Sequence, residues 1–216
     1  MAYATPIHVG HRDAVGGMWD EMGQFQLDFL KAEGLKPTDS LLDVGCGSLR
    51  AGIHFINYLE PGNYSGIDQE QSLLDAGRDI ELGATEFVAR RPQLVCMDDF
   101  SLGSLGRKFD FAIAQSVFSH LEDNLIRRCL IGVEDALAPG GRFYATFFEN
   151  ENGPRFVGPI DRNGGTFQSF FDRDPFHYTV RQFEQMVEDL DLTLRDIGDW
   201  GHPREQRMLC FERTPG

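Results

Sequence analysis

The fold is decided by residues 41–52, which read Leu41-Leu42-Asp43-Val44-Gly45-Cys46-Gly47-Ser48-Leu49-Arg50-Ala51-Gly52. A short apolar run that ends in glycines predicts a buried parallel strand followed by a tight turn. Gly45 and Gly47 permit that turn and leave bare main chain against which a ligand can lie. The next segment has apolar residues at helical spacing, namely Ile53, Phe55, Ile56 and Leu59. A Gly-x-Gly turn of this kind is also typical of ordinary strand-to-helix connections.

The second predicted strand strengthens the case for a ligand site. It runs through Tyr64-Ser65-Gly66-Ile67 and ends on Asp68. An acidic residue there, about 20 residues beyond the glycines, is placed to hold a ribose diol. One carboxylate accepts two hydroxyl hydrogen bonds at once, a geometry that neutral side chains reproduce less well.

These two segments carry a resemblance to a known family. Asp43-Val44-Gly45-Cys46-Gly47 resembles the first motif of the class I S-adenosylmethionine-dependent methyltransferases, and Gly66-Ile67-Asp68 resembles their second-strand acid. The resemblance covers residues 41–141 and, less specifically, the remainder up to the C-terminus. It implies an α/β fold, with a Rossmann-like, doubly wound, seven-stranded and mainly parallel sheet whose last strand is antiparallel. We expect one domain over residues 1–216, with an N-terminal helical lid (1–36) and a substrate-loop insertion after strand five (149–178).

The motif departs from the family pattern at one position. Family members often have a third glycine two positions after Gly47, whereas this chain has Leu49. The rival dinucleotide-binding pattern, G-x-G-x-x-G, needs a small residue where the chain has Arg50, so a nicotinamide dehydrogenase is disfavoured.

The resemblance implies S-adenosylmethionine as cofactor and S-adenosylhomocysteine as product. Asp43 is expected to orient the motif near the methionine ammonium, and Asp68 to accept the ribose hydroxyls. Asp98, or Asp99 beside it, is expected to bind the adenine amino group, although a loop acid there can instead cap the next turn. The predicted cofactor-binding set also includes Gly45, Gly47, Gln69, Phe100, Gln115 and Trp19. Of these, Gln115 is expected beside the methionine portion, at the tip of strand four.

The N-terminal region predicts a helix outside the strand order. Met18, Met22, Phe25 and Phe29 form one helical stripe, with Trp19 at its edge. This helix either closes over the cofactor or only covers an edge of the sheet. The nearby His8 and His11 are more typical of solvent-exposed residues than of a metal site, so we predict no metal.

Three residues are candidates for catalysis. His120 leads, because histidine titrates near neutrality and this one follows the fourth strand, where the acceptor is expected. Many relatives have histidine at this place, so a structural hydrogen bond is the alternative. His177, at the end of the long loop, is second, and Glu149 is expected to act as a base or to orient a histidine. His202 and His54 are interpreted as surface or packing residues.

An acceptor that needs a base is typically a hydroxyl, so the sequence favours an O-methyltransferase of a small molecule, with a sugar as one candidate. The aromatic residues of the long loop either wall a substrate pocket or only pack onto the core; they are Phe156, Phe167, Phe170, Phe171 and Phe176. The alternatives are a non-catalytic S-adenosylmethionine-binding regulatory protein, an N-methyltransferase of a small amine, and a protein methyltransferase.

Composition limits the partners. Acidic residues outnumber basic ones 34 to 20, which gives a formal charge of −14. Such a surface repels phosphate backbones, so we expect no nucleic acid partner. The start of the sequence has no signal-peptide pattern, and no apolar run reaches membrane-spanning length, so we expect no membrane association. The four scattered cysteines predict buried free thiols in a cytoplasmic protein. The oligomeric state stays open, a homodimer included.

Overall fold

The computed structural model describes residues 10–215, so His8 lies outside the described residues. The chain divides into two compact units, one that ends at Asp98 and one that begins at Asp99. Each unit combines parallel strands with helices, and the last strand of the second unit is antiparallel to its neighbours. The predicted fold class, α/β with a mainly parallel sheet and a reversed last strand, is confirmed.

The first unit places three parallel strands side by side. β1 (Leu41–Val44) pairs with β2 (Tyr64–Asp68), and β2 pairs with β3 (Gln93–Cys96). Asp43 thus lies opposite Gly66, and Asp68 lies opposite Cys96. Parallel strands bring their carboxyl ends to the same edge, which is why the glycine turn and Asp68 are neighbours. The elements in chain order are α1 (His11–Ala14), α2 (Trp19–Ala32), β1 (Leu41–Val44), α3 (Gly52–Tyr58), β2 (Tyr64–Asp68), α4 (Gln71–Ala76), a π-helical continuation (Gly77–Leu82), α5 (Ala84–Arg90) and β3 (Gln93–Cys96).

The N-terminal helix α2 forms where it was predicted but buries a different face. Met18 precedes the helix and is 38% exposed. The buried residues of α2 are Met22, Gly23, Gln26, Leu27 and Leu30. A side chain at Gly23 would bring its Cβ within 2.4 Å of the Arg50 carbonyl oxygen, so only glycine permits this close approach to the residues before α3. The close contact turns the face containing Gly23 inward and leaves Phe25 and Phe29 partly exposed.

Two other features of the first unit differ from expectation. α5 was not expected, because it has no buried residue and so no apolar stripe marks it in the sequence. Cys96 is exposed, whereas the other cysteines are buried as predicted, and all are free thiols.

The second unit continues the parallel pattern and then reverses it. β4 (Phe109–Ala114) pairs parallel with β5 (Leu137–Glu149). β10 (Arg207–Arg213) pairs antiparallel with both β5 and β9 (Leu192–Asp199). Its elements are a 3₁₀ turn (Leu102–Leu105), β4 (Phe109–Ala114), a second 3₁₀ turn (Phe118–His120), α6 (Asp123–Ala136), β5 (Leu137–Glu149), β6 (Ile160–Arg162), a third 3₁₀ turn (Asn163–Gly165), β7 (Phe167–Ser169), β8 (His177–Tyr178), α7 (Val180–Met186), β9 (Leu192–Asp199) and β10 (Arg207–Arg213).

An aromatic cluster forms the core of this second unit. Phe183 on α7 lies at its centre, with ring centroids 4.9 Å from Phe147 and 5.9 Å from Phe118. α7 begins at a capping box, in which the Thr179 hydroxyl and the Gln182 side chain each bond the other residue's backbone N–H. The cap fixes the start of α7, and thereby the position from which Phe183 enters the core.

Residues 149–178, which were predicted as a substrate-loop insertion, contain regular structure that the sequence did not predict. β6 and β7 form a small antiparallel hairpin, and β8 pairs parallel with the end of β5, with His177 opposite Phe148. These strands have two or three residues each, too few for an alternating pattern to be recognised. The insertion therefore adds a short strand, β8, beside the carboxyl end of β5.

Candidate functional site

The glycine turn and Asp68 form one connected unit in the structure. Asp68 Oδ2 accepts a hydrogen bond from the Gly47 N–H at 2.8 Å, and Oδ1 accepts one from the Glu70 N–H at 2.9 Å. Gly45 and Gly47 have left-handed φ values of 72° and 54°, which glycine adopts without strain. Each carboxylate oxygen has a second lone pair for a further donor. Asp68 therefore fits a ribose diol while it also holds the turn.

Asp43 supports the same turn from inside the sheet. Its carboxylate is 4% exposed, and Oδ2 accepts a hydrogen bond from the Tyr64 hydroxyl at 2.8 Å. Burial raises the pKa of Asp43 to about 7, although the hydrogen bond from Tyr64 opposes that shift. A Cβ at Gly52 would lie 2.6 Å from the Tyr64 hydroxyl, so glycine leaves the space in which this pair sits.

A short N-terminal strap, residues 11–18, is fastened to the glycine turn. The Arg50 guanidinium donates to the Val15 carbonyl at 2.6 Å and to the Gly17 carbonyl at 2.9 Å. A Cβ at Gly47 would lie 2.5 Å from a Val15 methyl carbon, so the bare face of this glycine is covered by the strap. The Ser48 hydroxyl donates to the His11 carbonyl at 3.2 Å.

Trp19 is held at the end of the strap by a charged cluster. Glu81, whose side chain is 5% exposed, accepts from Arg12 Nε at 2.7 Å and lies 2.6 Å from His11 Nε2. The hydrogen bond from Arg12 lowers the pKa of Glu81. The Arg12 guanidinium in turn lies 4.6 Å from the centre of the Trp19 ring, a cation–π contact. His11 thus has a carboxylate partner.

The two acids predicted as alternatives for the adenine amino group, Asp98 and Asp99, lie at the end of the first unit and the start of the second. Asp98 is exposed, and so is Gln69, another member of the predicted cofactor-binding set. Asp99 accepts from the Ser101 N–H at 3.0 Å and from the Ser101 hydroxyl at 2.6 Å, and these hydrogen bonds lower the pKa of Asp99. Asp99 therefore caps its own turn, the alternative that the sequence left open. Phe100 follows with a left-handed φ of 54°, so the chain turns sharply there.

In the second unit, His120 is paired with an acid that the sequence did not reveal. His120 Nδ1 lies 2.6 Å from Asp174 Oδ1, and the two side chains are 55% and 58% exposed. The insertion is fixed beside His120 by a hydrogen bond from the Phe176 N–H to the Ser119 carbonyl at 2.7 Å. Because 54 residues separate His120 from Asp174, no local pattern could have connected them. An acid at Nδ1 fixes the ring and leaves Nε2 to exchange a proton.

Glu149 has a different partner from the one expected. Its Oε2 lies 2.8 Å from Arg207 Nε, and burial raises the pKa of Glu149 while Arg207 opposes that shift. The backbone carbonyl of Glu149 accepts a hydrogen bond from Arg162. Glu149 is thereby part of a charge pair with β10.

His177 is buried at the centre of the insertion. It is 1% exposed, and its Nδ1 lies 3.1 Å from the Ser169 hydroxyl, which also accepts from Arg162 Nε at 2.9 Å. Burial lowers the pKa of His177, which favours the neutral ring. Its Nε2 is buried and has no hydrogen-bond partner among residues 10–215. A buried polar atom without a hydrogen-bond partner is uncommon in folded proteins.

Gln115 lies in a polar network at the tip of β4, and the network includes a histidine that the sequence assigned to the surface or to packing. The Gln115 side-chain amide lies 2.9 Å from His202 Nε2 and 2.7 Å from Ser116 Oγ. His202 is 7% exposed. The contact spans 87 residues, so only the fold brings these side chains together.

Residues 10–215 contain no group of three or more His, Cys, Asp or Glu side chains that could hold a metal ion. In the same range, no helix has both the length and the apolar character needed to cross a bilayer.

A family model described as a methyltransferase domain matches residues 42–143, slightly under half of the chain. An uncharacterized methyltransferase of Schizosaccharomyces pombe is 30% identical over 113 residues, which are 50% of this chain and 39% of that protein. The matched part therefore spans well under half the length of this curated relative.

Solved structures share the fold over nearly the whole chain. An S-adenosylmethionine-bound amino pentose methyltransferase from Micromonospora echinaspora has a TM-score of 0.67 at 15% identity, covering 99% of both chains. A glycopeptide N-methyltransferase in complex with S-adenosylmethionine has a TM-score of 0.63 at 15% identity, covering 90% of this chain and 94% of its own. At such identities the likeness concerns the fold. Residues 42–143 are thus similar to a methyltransferase domain, and the chain shares the fold of S-adenosylmethionine-bound methyltransferases of known structure.

Proposed function

We propose that this protein is an S-adenosylmethionine-dependent methyltransferase that transfers the methyl group to a hydroxyl of a small molecule, with His120 as the general base. The observation that carries the choice of a hydroxyl is the pair formed by His120 and Asp174, at 2.6 Å. A hydroxyl needs to lose a proton as it is methylated, and a histidine oriented by a carboxylate is suited to accept it.

The glycine turn and Asp68 are the proposed cofactor grip. Asp68 binds the ribose hydroxyls through the two lone pairs that Gly47 and Glu70 leave available. When bound, S-adenosylmethionine supplies a sulfonium methyl group and leaves as S-adenosylhomocysteine once the electron pair of the broken bond returns to sulfur. The strap, which Arg50 attaches to the turn, is the proposed lid on this side of the cofactor grip.

His120 and Asp174 perform the proton transfer in this proposal. Asp174 holds Nδ1, so that Nε2 faces the acceptor hydroxyl and takes up its proton as the oxygen–carbon bond forms. A general base contributes about 10²–10⁴-fold to the rate, whereas correct positioning supplies about 7–11 kcal/mol of the barrier. The residues that hold cofactor and acceptor in line therefore matter more than the base itself.

The insertion supports a small acceptor with a ring face, for which a sugar is our first candidate. Phe167 packs on Phe148 of β5 with ring centroids 5.5 Å apart, so it packs against the sheet. Phe171, in contrast, is 46% exposed and offers an open ring on which a sugar can stack. The free cysteines are typical of a reducing compartment, which favours the cytoplasm as the location.

The base is tested with His120→Ala and Asp174→Asn in a methyl-transfer assay with radiolabelled S-adenosylmethionine. We expect kcat to fall by about 10²–10⁴-fold in His120→Ala, with cofactor affinity unchanged, and by less in Asp174→Asn. Because the His120 side chain is 55% exposed, added imidazole can reach its place and should restore part of the rate. Wild-type kcat in His120→Ala would remove it as the base.

The acceptor is identified by screening hydroxylated molecules, sugars and amines, with the methylated atom located by NMR. Products methylated only on nitrogen would replace the hydroxyl by a small amine as acceptor. Cofactor binding without turnover on any acceptor, together with no effect of His120→Ala on any property of the protein, would favour a non-catalytic regulatory role.

A further inference from the structure

The first residues of the strap are bound by a buried carboxylate on another element. Glu81 lies in the π-helical continuation of α4, and its side chain is 5% exposed. Its carboxylate accepts from Arg12 Nε and Nη2, both at 2.7 Å, and lies 2.6 Å from His11 Nε2. Buried charges in proteins are paired, so Glu81 depends on the strap as much as the strap depends on Glu81.

The π-helical continuation is itself fixed against the glycine turn. A Cβ at Gly77 would lie 2.7 Å from the Leu49 side chain and 3.1 Å from the Ser48 backbone, so glycine permits this close approach. Leu49 is fully buried and has a left-handed φ of 69°. A non-glycine residue keeps such a conformation where its surroundings hold it. Glu81 therefore binds the strap from a helix whose place relative to the turn is set by packing.

The strap between these contacts lies on the proposed cofactor grip. A Cβ at Gly47 would lie 2.5 Å from a Val15 methyl carbon, and Arg50 donates to the carbonyls of Val15 and Gly17. Gly47 and Arg50 belong to the glycine motif, so a substitution of either would also change the grip. The side-chain hydrogen bonds of Glu81 within residues 10–215 go to the strap instead. Glu81 can therefore be changed without changing the motif.

We propose that Glu81 is a positioning residue that latches the strap over the glycine turn, so that opening of this latch sets the rate at which cofactor and product exchange. The hydrogen bond from Arg12 lowers the pKa of Glu81, so the carboxylate is charged at neutral pH. The Arg12 guanidinium also lies 4.6 Å from the centre of the Trp19 ring, and the latch thereby fixes the start of α2. In many enzymes lid opening or product release, and not chemistry, limits kcat. This inference rests on the proposed function, because it requires that the protein bind this cofactor.

A latch has a kinetic signature that the loss of a ligand contact lacks. Entry and release both pass through the open strap, so a weaker latch speeds both by the same factor and leaves Kd almost unchanged. Loss of a contact to the ligand raises the release rate and Kd together and leaves the entry rate as it was. Because Glu81 binds the strap and not the grip, we expect the first pattern.

Surface plasmon resonance with S-adenosylhomocysteine over the immobilised full chain measures both rates. In Glu81→Gln we expect kon and koff each to rise at least about tenfold, the effect of one lost hydrogen bond to a charged group, and Kd to stay within about threefold of wild type. Arg12→Met, at an exposed side chain, should act in the same direction and decides the point if Glu81→Gln does not fold. Glu86→Gln, which removes an exposed pair with Arg90 on α5, is the matched control and should leave both rates unchanged.

Hydrogen exchange without ligand reports the latch itself. The Gly17 N–H donates to the Arg12 carbonyl at 3.0 Å, so its exchange follows the opening of the strap. In Glu81→Gln the peptide covering residues 11–18 should exchange at least about tenfold faster than in wild type. Equal exchange in the folded variant and wild type overturns the latch.

The remaining outcomes separate this inference from the proposed function. Faster exchange of the strap with unchanged kon and koff, or a rise in koff without one in kon, overturns the control of cofactor exchange by Glu81 and leaves the proposed function intact. A wild type that does not bind S-adenosylhomocysteine overturns the proposed function, and this inference with it.

Discussion

At the residue scale, Asp43 is a carboxylate whose ionisation the fold changes. It is buried at the start of the glycine turn, with the Tyr64 hydroxyl as hydrogen-bond donor. Burial raises the pKa of Asp43 to about 7. The unfolded chain releases the same proton at about pH 4. Between these values the unfolded state binds fewer protons than the folded state, so the free energy of unfolding falls as pH rises.

Asp43→Asn should therefore stabilise the free protein, and more so at high pH. Asparagine keeps an oxygen that accepts from Tyr64 but has no charge to bury. Relative to the wild type, we expect its unfolding free energy to increase between pH 5 and pH 8 by roughly 1–3 kcal/mol. Urea unfolding at both pH values measures this difference. Asp28→Asn on the exposed side of α2 is the control. A constant difference between Asp43→Asn and wild type would show that Asp43 is already ionised in the folded protein at pH 5.

At the scale of elements, the N-terminal strap is attached to the glycine turn through the Arg50 side chain. Arg50 binds the carbonyls of Val15 and Gly17, and both bonds come from a charged donor. Such bonds contribute about 1.5–3 kcal/mol each.

Arg50→Met should release the strap and leave the sheet intact. The amides of Gly16 and Gly17, which are hydrogen-bonded to carbonyls within the strap, should exchange at least about tenfold faster, since local opening becomes less costly. Hydrogen exchange read by mass spectrometry of the peptide covering residues 11–18 measures this change. Arg78→Met, which removes only surface contacts to Asp79 and Asp75, is the matched control. Equal exchange in Arg50→Met and wild type would contradict the attachment.

The sequence predicted those elements whose apolar residues form a continuous run or a regular stripe. β4 is an example, because Phe109–Ala114 is an almost continuous apolar run of the kind that predicts a buried strand. The short strands β6, β7 and β8 and the surface helix α5 lack such a pattern. The buried face of α2 was wrong in part because the close approach at Gly23, which no apolar stripe reveals, decides it.

The candidate sites likewise include parts that a local sequence pattern predicts and parts that it does not. The glycine turn and Asp68 lie within 24 residues of each other and belong to one motif, so the sequence predicted them together. Asp174 and His202 reach their partners only through the tertiary structure, across 54 and 87 residues. Residue types and local spacing predict a site when one supersecondary unit supplies it, and they miss contributions from distant loops.

For the whole molecule, the account rests on binding of the sulfonium cofactor or its product. Ligand that binds only the folded state stabilises it, by about 2.7 kcal/mol at a concentration 100 times Kd. For a chain of this length each kcal/mol raises Tm by about 2–4 °C. Saturating S-adenosylhomocysteine should therefore raise the Tm of the wild type by several degrees, and the rise should shrink when the ribose grip is weakened.

The most direct test is a calorimetric titration of wild type and Asp68→Asn with S-adenosylhomocysteine. The account predicts saturable binding to the wild type and a Kd about 10- to 100-fold higher in Asp68→Asn, the loss expected for hydrogen bonds to a charged group. Thermal unfolding without ligand checks that the variant is folded, since Asp68 also accepts from the N–H groups of Gly47 and Glu70. No binding of either cofactor form to the wild type, or unchanged affinity in a folded Asp68→Asn variant, would contradict the account.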